Sequence, residues 1–176
     1  MVMVKNKIWL ITDTHFNHKK IAEYCNRPEN YEGLILHNLK MIPKDDILIH
    51  LGDVCLGNDE EMHRRLNNSC KCKKVLVRGN HDKKTSSWYY EHGWDFVCHS
   101  FTDRYFRKWI LFSHKPKEVG KHINWNIHGH FHNANLQTWE PEIRDILCDK
   151  HRLLCLEDSK YRPVLLDSFL KRGKMI

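Results

Sequence analysis

The sequence predicts an α/β protein in which two mixed β-sheets pack face to face with helices on the outside. Three features predict it. Short apolar runs end in polar turns five times along the chain, helix-patterned segments separate the first of these runs, and after His92 strand-like runs crowd together.

Taken in order, Ile8-Trp9-Leu10-Ile11 is the first apolar run and leads to Asp13. His18 to Tyr24 and Tyr31 to Met41 then carry helical apolar spacing, with Asn30 as an N-cap for the second and Pro43 as a stop beyond it. Ile47-Leu48-Ile49 leads to Asp53, and a helix over Asp59 to Leu66 is expected to start from Asn58. Val75-Leu76-Val77 leads to Asn80, and Lys83 to Glu91 reads as a helix, with Asp82 either its cap, the favoured reading, or a carboxylate orienting the His81 imidazole. Phe96-Val97-Cys98, Phe101 to Phe106 and Trp109 to Phe112 leave no room for helices between them. They read as antiparallel strands, the last leading to His114. Ile123 to Ile127 leads to His130, and Leu153 to Leu156 and Pro163 to Leu166 are further strand candidates before a short helix at Ser168 to Arg172. This alternation puts the five polar turns at carboxyl ends of strands, the edge where α/β sheets bind ligands.

Composition narrows the class. With 41% hydrophobic and 29% charged residues in 176, the chain resembles an ordinary globular protein and not a disordered one. One domain over residues 1–176 is the expectation. The first apolar run is too short for a signal-peptide core, and no run approaches the ~18 apolar residues of a membrane span. A cytoplasmic location without a membrane partner is therefore expected. The seven cysteines are odd in number and scattered, so they read as reduced thiols, with Cys70-x-Cys72 in a lysine-rich turn. A net charge of +7 suits anionic partners, and fourteen histidines suit metal binding or acid–base chemistry.

The polar turns carry Asp13-Thr14-His15, Gly52-Asp53, Gly79-Asn80-His81-Asp82, Ser113-His114-Lys115-Pro116 and Gly129-His130-Phe131-His132. On an extended segment alternate residues point the same way, so Asp13 with His15, and His130 with His132, are expected to aim at common points. Adding Asp53, Asn80 and His114 gives a set of oxygen and imidazole donors too large for one tetrahedral ion and suited to two. Manganese, iron, nickel and zinc all fit such donors, with manganese the first to test. Two divalent cations ~3.5–4 Å apart polarise a phosphoryl group and generate hydroxide at neutral pH, which is phosphoester hydrolysis. A bridging ligand must be charged and offer two oxygens, which selects Asp53. His81, beside the ligand Asn80, is placed to reach substrate and is assigned as proton donor to the leaving oxygen.

These motifs resemble the calcineurin-like metallophosphoesterase superfamily, whose pattern of Asp-x-His, Gly-Asp, Gly-Asn-His, a later His and Gly-His-x-His is met from Ile8 to His132. The resemblance is closest to small bacterial and phage members, through Asp13-Thr14-His15-Phe16-x-His18-Lys19, Cys25-Asn26-Arg27-Pro28, His50-Leu51-Gly52-Asp53 and Arg78-Gly79-Asn80-His81-Asp82. It implies a four-layer α/β/β/α sandwich. It further implies that Asp13, His15, Asp53 and His132 hold one metal, Asp53, Asn80, His114 and His130 the other, and that His81 is the acid near the phosphate. Val54-Cys55-Leu56-Gly57 stands where phosphoprotein phosphatases carry an arginine-bearing extension, and little chain follows the last motif. A bare catalytic core acting on a small phosphoester, such as a nucleotide or cyclic nucleotide, is the expectation. A metal-dependent nuclease is the alternative within enzymes, and a non-catalytic scaffold of the same fold is the alternative outside them. Nucleic acid is not the favoured partner, and the oligomeric state is left open.

Residues beside the motifs are read more plainly. His18 either contacts phosphate or opens a helix, and Arg78 either holds phosphate or braces its turn. His50 and His128 read as packing or supporting residues near the ligands. Trp88, Tyr89, Tyr90, Trp94 and Trp125 read as core aromatics before base-stacking ones.

Overall fold

The computed structural model describes residues 6–133 and 141–172. Its elements run β1 (Ile8–Ile11), α1 (Ile21–Tyr24), α2 (Tyr31–Leu39), β2 (Ile47–His50), α3 (Asp59–Ser69), β3 (Lys73–Val77), α4 (Ser86–Glu91) and β4 (Phe96–Cys98), then β5 (Ser100–Tyr105), β6 (Lys108–Ser113), β7 (Trp125–His128), α5 (Pro141–Arg144), β8 (His151–Leu153), β9 (Val164–Leu165) and α6 (Leu166–Arg172). They build a five-stranded sheet in the order β4-β3-β2-β1-β9 and a four-stranded sheet in the order β5-β6-β7-β8. Both sheets are mixed. β1 to β4 are parallel and β9 runs against β1, while β5 is antiparallel to β6 and the β6, β7, β8 series is parallel.

Alternation along the central strands explains the layers. Trp9, Ile11, Leu48 and Leu76 join Ile35, Leu39, Met62 and Leu66 in one core cluster on the helix side. Leu10, Ile49 and Val77, pointing the opposite way, join Ile110, Phe112 and Ile127 from the other sheet in a second cluster. Both faces of β1 to β3 are thus buried, which is why these strands read as unbroken apolar runs. Two mixed sheets flanked by helices are what the sequence predicted. No helix among the described residues is long and apolar enough to cross a membrane.

Several local expectations change. β4 does not belong to an antiparallel group. It pairs in parallel with β3, because the six-residue α4 is long enough to return the chain to the same sheet, and the chain crosses to the second sheet at His99. Neither Asn30 nor Asn58 caps with its side chain. Asn58 instead takes a left-handed turn with φ 49°, and Asp59, Glu60 and Glu61 place negative charge at the helix start. α4 begins three residues later than expected, capped by Thr85, which accepts from the Trp88 N–H. Asp82 is not its cap. The expected strand at Leu153–Leu156 lies earlier, at His151–Leu153, where pairing to β7 is set by the register Asn126 to His151. Helix α1 is a single turn, since His15 to Lys20 is taken up by the loop after β1.

Candidate metal centre

β1, β2 and β3 from one sheet and β6 and β7 from the other end at the same edge of the sandwich. Their turns bring together all seven donor residues read from the sequence. Asp13, His15 and His132 offer donor atoms within 4.8 Å of one another, as do Asp53, His114 and His130. Asn80 Oδ1 stands 3.0 Å from His114 Nε2, which also faces His130 Nδ1 at 3.2 Å. Asp53 Oδ2 lies between the two sets, 3.6 Å from His15 Nε2 and 3.3 Å from His114 Nε2.

The way these side chains converge differs from the expected one. Asp13, His15, Asp53, His130 and His132 all have left-handed backbones, with φ between 45° and 74°. They aim inward through tight loops and not along an extended strand. Each such residue costs on the order of 1–2 kcal/mol for a non-glycine. Neighbouring contacts hold the conformation: the N–H groups of Asp13, His15 and Phe16 donate to the carbonyls of Gly52, Asp53 and Val54. Arg27 donates to the Asp13 and Thr14 carbonyls at 2.8 and 3.1 Å, and the Tyr31 hydroxyl donates to that of His15 at 2.8 Å. Two of the motif glycines serve close approach. A Cβ at Gly79 would run into Oδ1 of Asp53, and one at Gly129 into Oδ2 of Asp13.

Asp82, read as a helix cap, instead ties the second and third turns together. Its carboxylate accepts from the N–H groups of Asp53, Val54 and Gly79 at 2.8, 3.1 and 2.7 Å. Asp53 presents a single oxygen inward. Its Oδ1 accepts from the His81 N–H at 2.8 Å, while its Oδ2 faces both donor sets. Arg78 braces its turn by donating to the carbonyls of Asp82 and Lys84. His50 is fully buried, accepts from the Gly52 N–H and hydrogen-bonds Thr14 Oγ1, so it supports the second turn. His128 is equally buried and its Nδ1 faces the Gly129 carbonyl. Tyr89 and Trp94 are core residues, Trp88 packs against the core from one side, Trp125 lies partly buried between the sheets, and Tyr90 is exposed.

The donor set fits divalent cations on direct grounds. Asp13 Oδ1 and both ring nitrogens of His15 are buried with no hydrogen-bond partner. Buried polar atoms of this kind are expensive unless something binds them, and a cation is what their lone pairs accept. Burial holds His15 neutral, pushing its pKa down to about 2 against the pull of Asp53. His114 goes the other way. Burial opposes its charge, but its hydrogen bond to Asp53 and the charges of Asp13 and Asp53 outweigh burial and raise it to about 9. Its Nδ1 faces the Leu51 carbonyl at 2.8 Å, which directs Nε2 to the centre.

Around this centre burial is uneven. Asp13, His15, Asp53, His114 and His132 are buried, His130 is half-buried and Asn80 exposed. His81 keeps about a third of its side chain exposed (32%), with Nε2 3.9 Å from Asp53 Oδ2 and its ring edge-on to His15. His81 also falls in a donor group with His15 and Asp53. His18 lies beside both, its ring 5.4 Å from His15 and 6.0 Å from His81. No helix N-terminus holds it, because α1 starts three residues later.

Two residues outside the motif set join the site. Glu157 Oε1 is 3.3 Å from His132 Nδ1 and 2.6 Å from the Arg27 guanidinium. Burial opposes ionisation of Glu157, but the His132 hydrogen bond and the Arg27 charge hold its pKa down to about 2. Cys25, His132 and Glu157 form a further cluster of metal-type donors, yet the buried Arg27 already supplies the positive charge there. The Cys25-Asn26-Arg27-Pro28 segment was a visible signal for Arg27. Glu157 had none, as it follows the last motif by 25 residues.

Residues 6–168 match the calcineurin-like phosphoesterase family. An uncharacterised protein from Methanocaldococcus jannaschii is 32% identical over 187 aligned residues, covering 99% of this chain and 97% of its own. A crystal structure of a protein of unknown function from Aquifex aeolicus superposes with a TM-score of 0.71 at 24% identity, over 96% of this chain and 100% of that one, and shows the same fold. A nuclease from Pseudomonas putida aligns over 71% of this chain and 61% of its own with a TM-score of 0.46 and 23% identity. With the fold, the five turns and the family match in agreement, this chain belongs to the calcineurin-like phosphoesterases, a superfamily of metal-dependent phosphoester hydrolases.

Proposed function

We propose that this protein hydrolyses a small phosphoester at a centre of two divalent metals. Asp13, His15, Asp53 and His132 would hold one, and Asp53, Asn80, His114 and His130 the other. The observation that carries this reading is Asp53 Oδ2, a carboxylate oxygen 3.6 Å from His15 Nε2 in one donor cluster and 3.3 Å from His114 Nε2 in the other, beside an Asp13 Oδ1 and a His15 ring that are buried without a hydrogen-bond partner. When bound, two such cations supply Lewis acidity to a phosphoryl group and make water a nucleophile near neutral pH.

The chain's own residues do the rest. Asp13 and Asp53 bring negative charge that neutral imidazoles cannot, and their second oxygens are pinned by the N–H groups of His130 and His81, so neither carboxylate turns away. His81 is the proton donor to the departing oxygen, held by its own backbone bond to Asp53 while its ring reaches solvent. Asn80, His81, His130 and His18 surround the less buried side, from which substrate enters. A cleft of about 530 Å³, lined by Asn17, His18, Lys19, Tyr31 and Arg65 among others, adjoins that side at His18 and has room for a leaving group of nucleotide size.

Manganese-loaded protein is expected to turn over bis-p-nitrophenyl phosphate, p-nitrophenyl phosphate or a cyclic nucleotide faster than it cuts single- or double-stranded DNA. No turnover of any of these with manganese, iron, nickel or zinc would sink the reading. Faster cleavage of the oligonucleotides would replace the small substrate with nucleic acid, a reading for which the +7 net charge is the motive.

A further inference from the structure

We infer that Glu157 and Arg27 form a positioning pair that sets one of the two metal subsites, the one built from Asp13, His15 and His132; this rests on the two-metal reading above. Neither residue touches the centre with a free donor. The Arg27 side chain is completely buried, so it cannot meet substrate, and its guanidinium is used up on three protein oxygens, Glu157 Oε1 and the carbonyls of Asp13 and Thr14, with a terminal nitrogen 3.3 Å from His132 Nδ1.

The geometry gives each a task. Glu157 Oε1 lies 3.3 Å from His132 Nδ1, and since a carboxylate can only accept there it selects the Nδ1–H tautomer and leaves the His132 lone pair on Nε2, 3.8 Å from Asp13 Oδ1 and on the side of the partnerless His15. A carboxylate behind a ligating histidine fixes both its tautomer and its ring angle, and makes the far nitrogen a better donor. Arg27 then locks Glu157 through Nε and a terminal nitrogen at 2.8 and 2.6 Å. The same guanidinium takes the carbonyls of Asp13 and Thr14, inside the loop whose left-handed residues carry the other two ligands. One fork therefore couples the first ligand loop to the last ligand across 130 residues of sequence between Arg27 and Glu157. The Cys155 thiol donates to Glu157 Oε2 at 3.3 Å, so both carboxylate oxygens are held. On the other subsite His114 is held at Nδ1 by the Leu51 carbonyl, outside this pair, so the pair's effect should fall on one subsite.

Titration of the metal-free full-length protein with manganese, followed by calorimetry and by electron paramagnetic resonance, tests this. Wild type should take up two ions and give the spectrum of a coupled pair. Glu157→Met, which removes the acceptor at similar size, should weaken one binding step by about 10- to 100-fold, leave the other within about twofold, and give an isolated-ion spectrum at low metal. Glu157→Gln keeps an acceptor oxygen and should restore most of the loss. If Glu157→Met fails to fold, Arg27→Lys keeps the charge without the fork and should show the same single-step loss. Two unchanged steps in the variants, or equal weakening of both, overturns the inference while leaving the two-metal centre standing. A wild type that binds no manganese, or one ion, overturns that centre itself.

Discussion

Asp13, His15 and His132 lie buried behind Arg27 and Glu157, whereas Asn80 and His130 stand toward solvent with only His114 buried behind them. The two halves use similar donors but are supported differently. In the buried half the ligand loop is bonded at nearly every backbone group, to the Gly52–Val54 turn on one side and to Arg27 and Tyr31 on the other. The open half is anchored mainly by the His114 bond to Leu51 and by Arg78 and Asp82 beneath the third turn. On the proposed reading, the closely bonded half would fix where charge sits and the open half would admit substrate.

The largest expected effect comes from removing what the halves share. Asp53→Asn should lower kcat/KM by about 10⁴-fold, several kcal/mol of barrier, together with loss of bound manganese measured by elemental analysis. Retention of both ions in that variant would show that Asp53 is not the shared ligand. His81→Ala, on the open side, should cost about 10²-fold in kcat while both ions remain, and a variant with wild-type kcat would remove His81 from proton donation.

A smaller effect separates the halves themselves. Without metal, Asp13→Ala should lower unfolding stability by about 1–3 kcal/mol, because the Thr12 hydroxyl and the His130 N–H lose their acceptor in a buried loop. Asn80→Ala should cost less than about 1 kcal/mol, since Asn80 is exposed. Urea unfolding of both metal-free variants checks this, and equal losses would erase the contrast between a rigid and an open half.

Acid should act on the fold apart from the metals. His63 is buried on the helix side, where burial lowers its pKa to about 4 and its Nδ1 accepts from Trp94 Nε1. Since the unfolded chain takes up this proton first, near pH 6.5, the stability His63 contributes is complete above that value and is lost as pH falls towards 4. At pH 5 the linkage comes to about 2 kcal/mol. Wild type should therefore lose more stability between pH 8 and pH 5 than His63→Gln does. Equal losses would place the acid sensitivity elsewhere, with His50 and His128, each lowered by burial to about 3, as the next positions to change.

Much of the site was legible because its information is chemical. Aspartate, asparagine and histidine in five turns, each after an apolar run, identify donors whatever path the backbone takes between them. The strands were legible for a related reason. Residues such as Leu10 and Trp9 are apolar on both faces, which only a sheet packed on two sides allows. The role of Asp82 was not legible, because a carboxylate before a helix satisfies local capping rules, and only the approach of the Gly52–Val54 turn offers it three better donors.

By itself the sequence determined which side chains could bind metal, their order along the chain and the strand ends that present them, since these follow from residue chemistry and local periodicity. Tertiary structure alone decided that five positions adopt left-handed backbones, that Asp53 turns a single oxygen inward, and that Glu157 and Arg27 close behind His132. Those outcomes depend on contacts between turns from two sheets and on residues as far apart as Arg27 and Glu157. No local pattern encodes them, because each is stabilised only once the chain has brought its distant partners together.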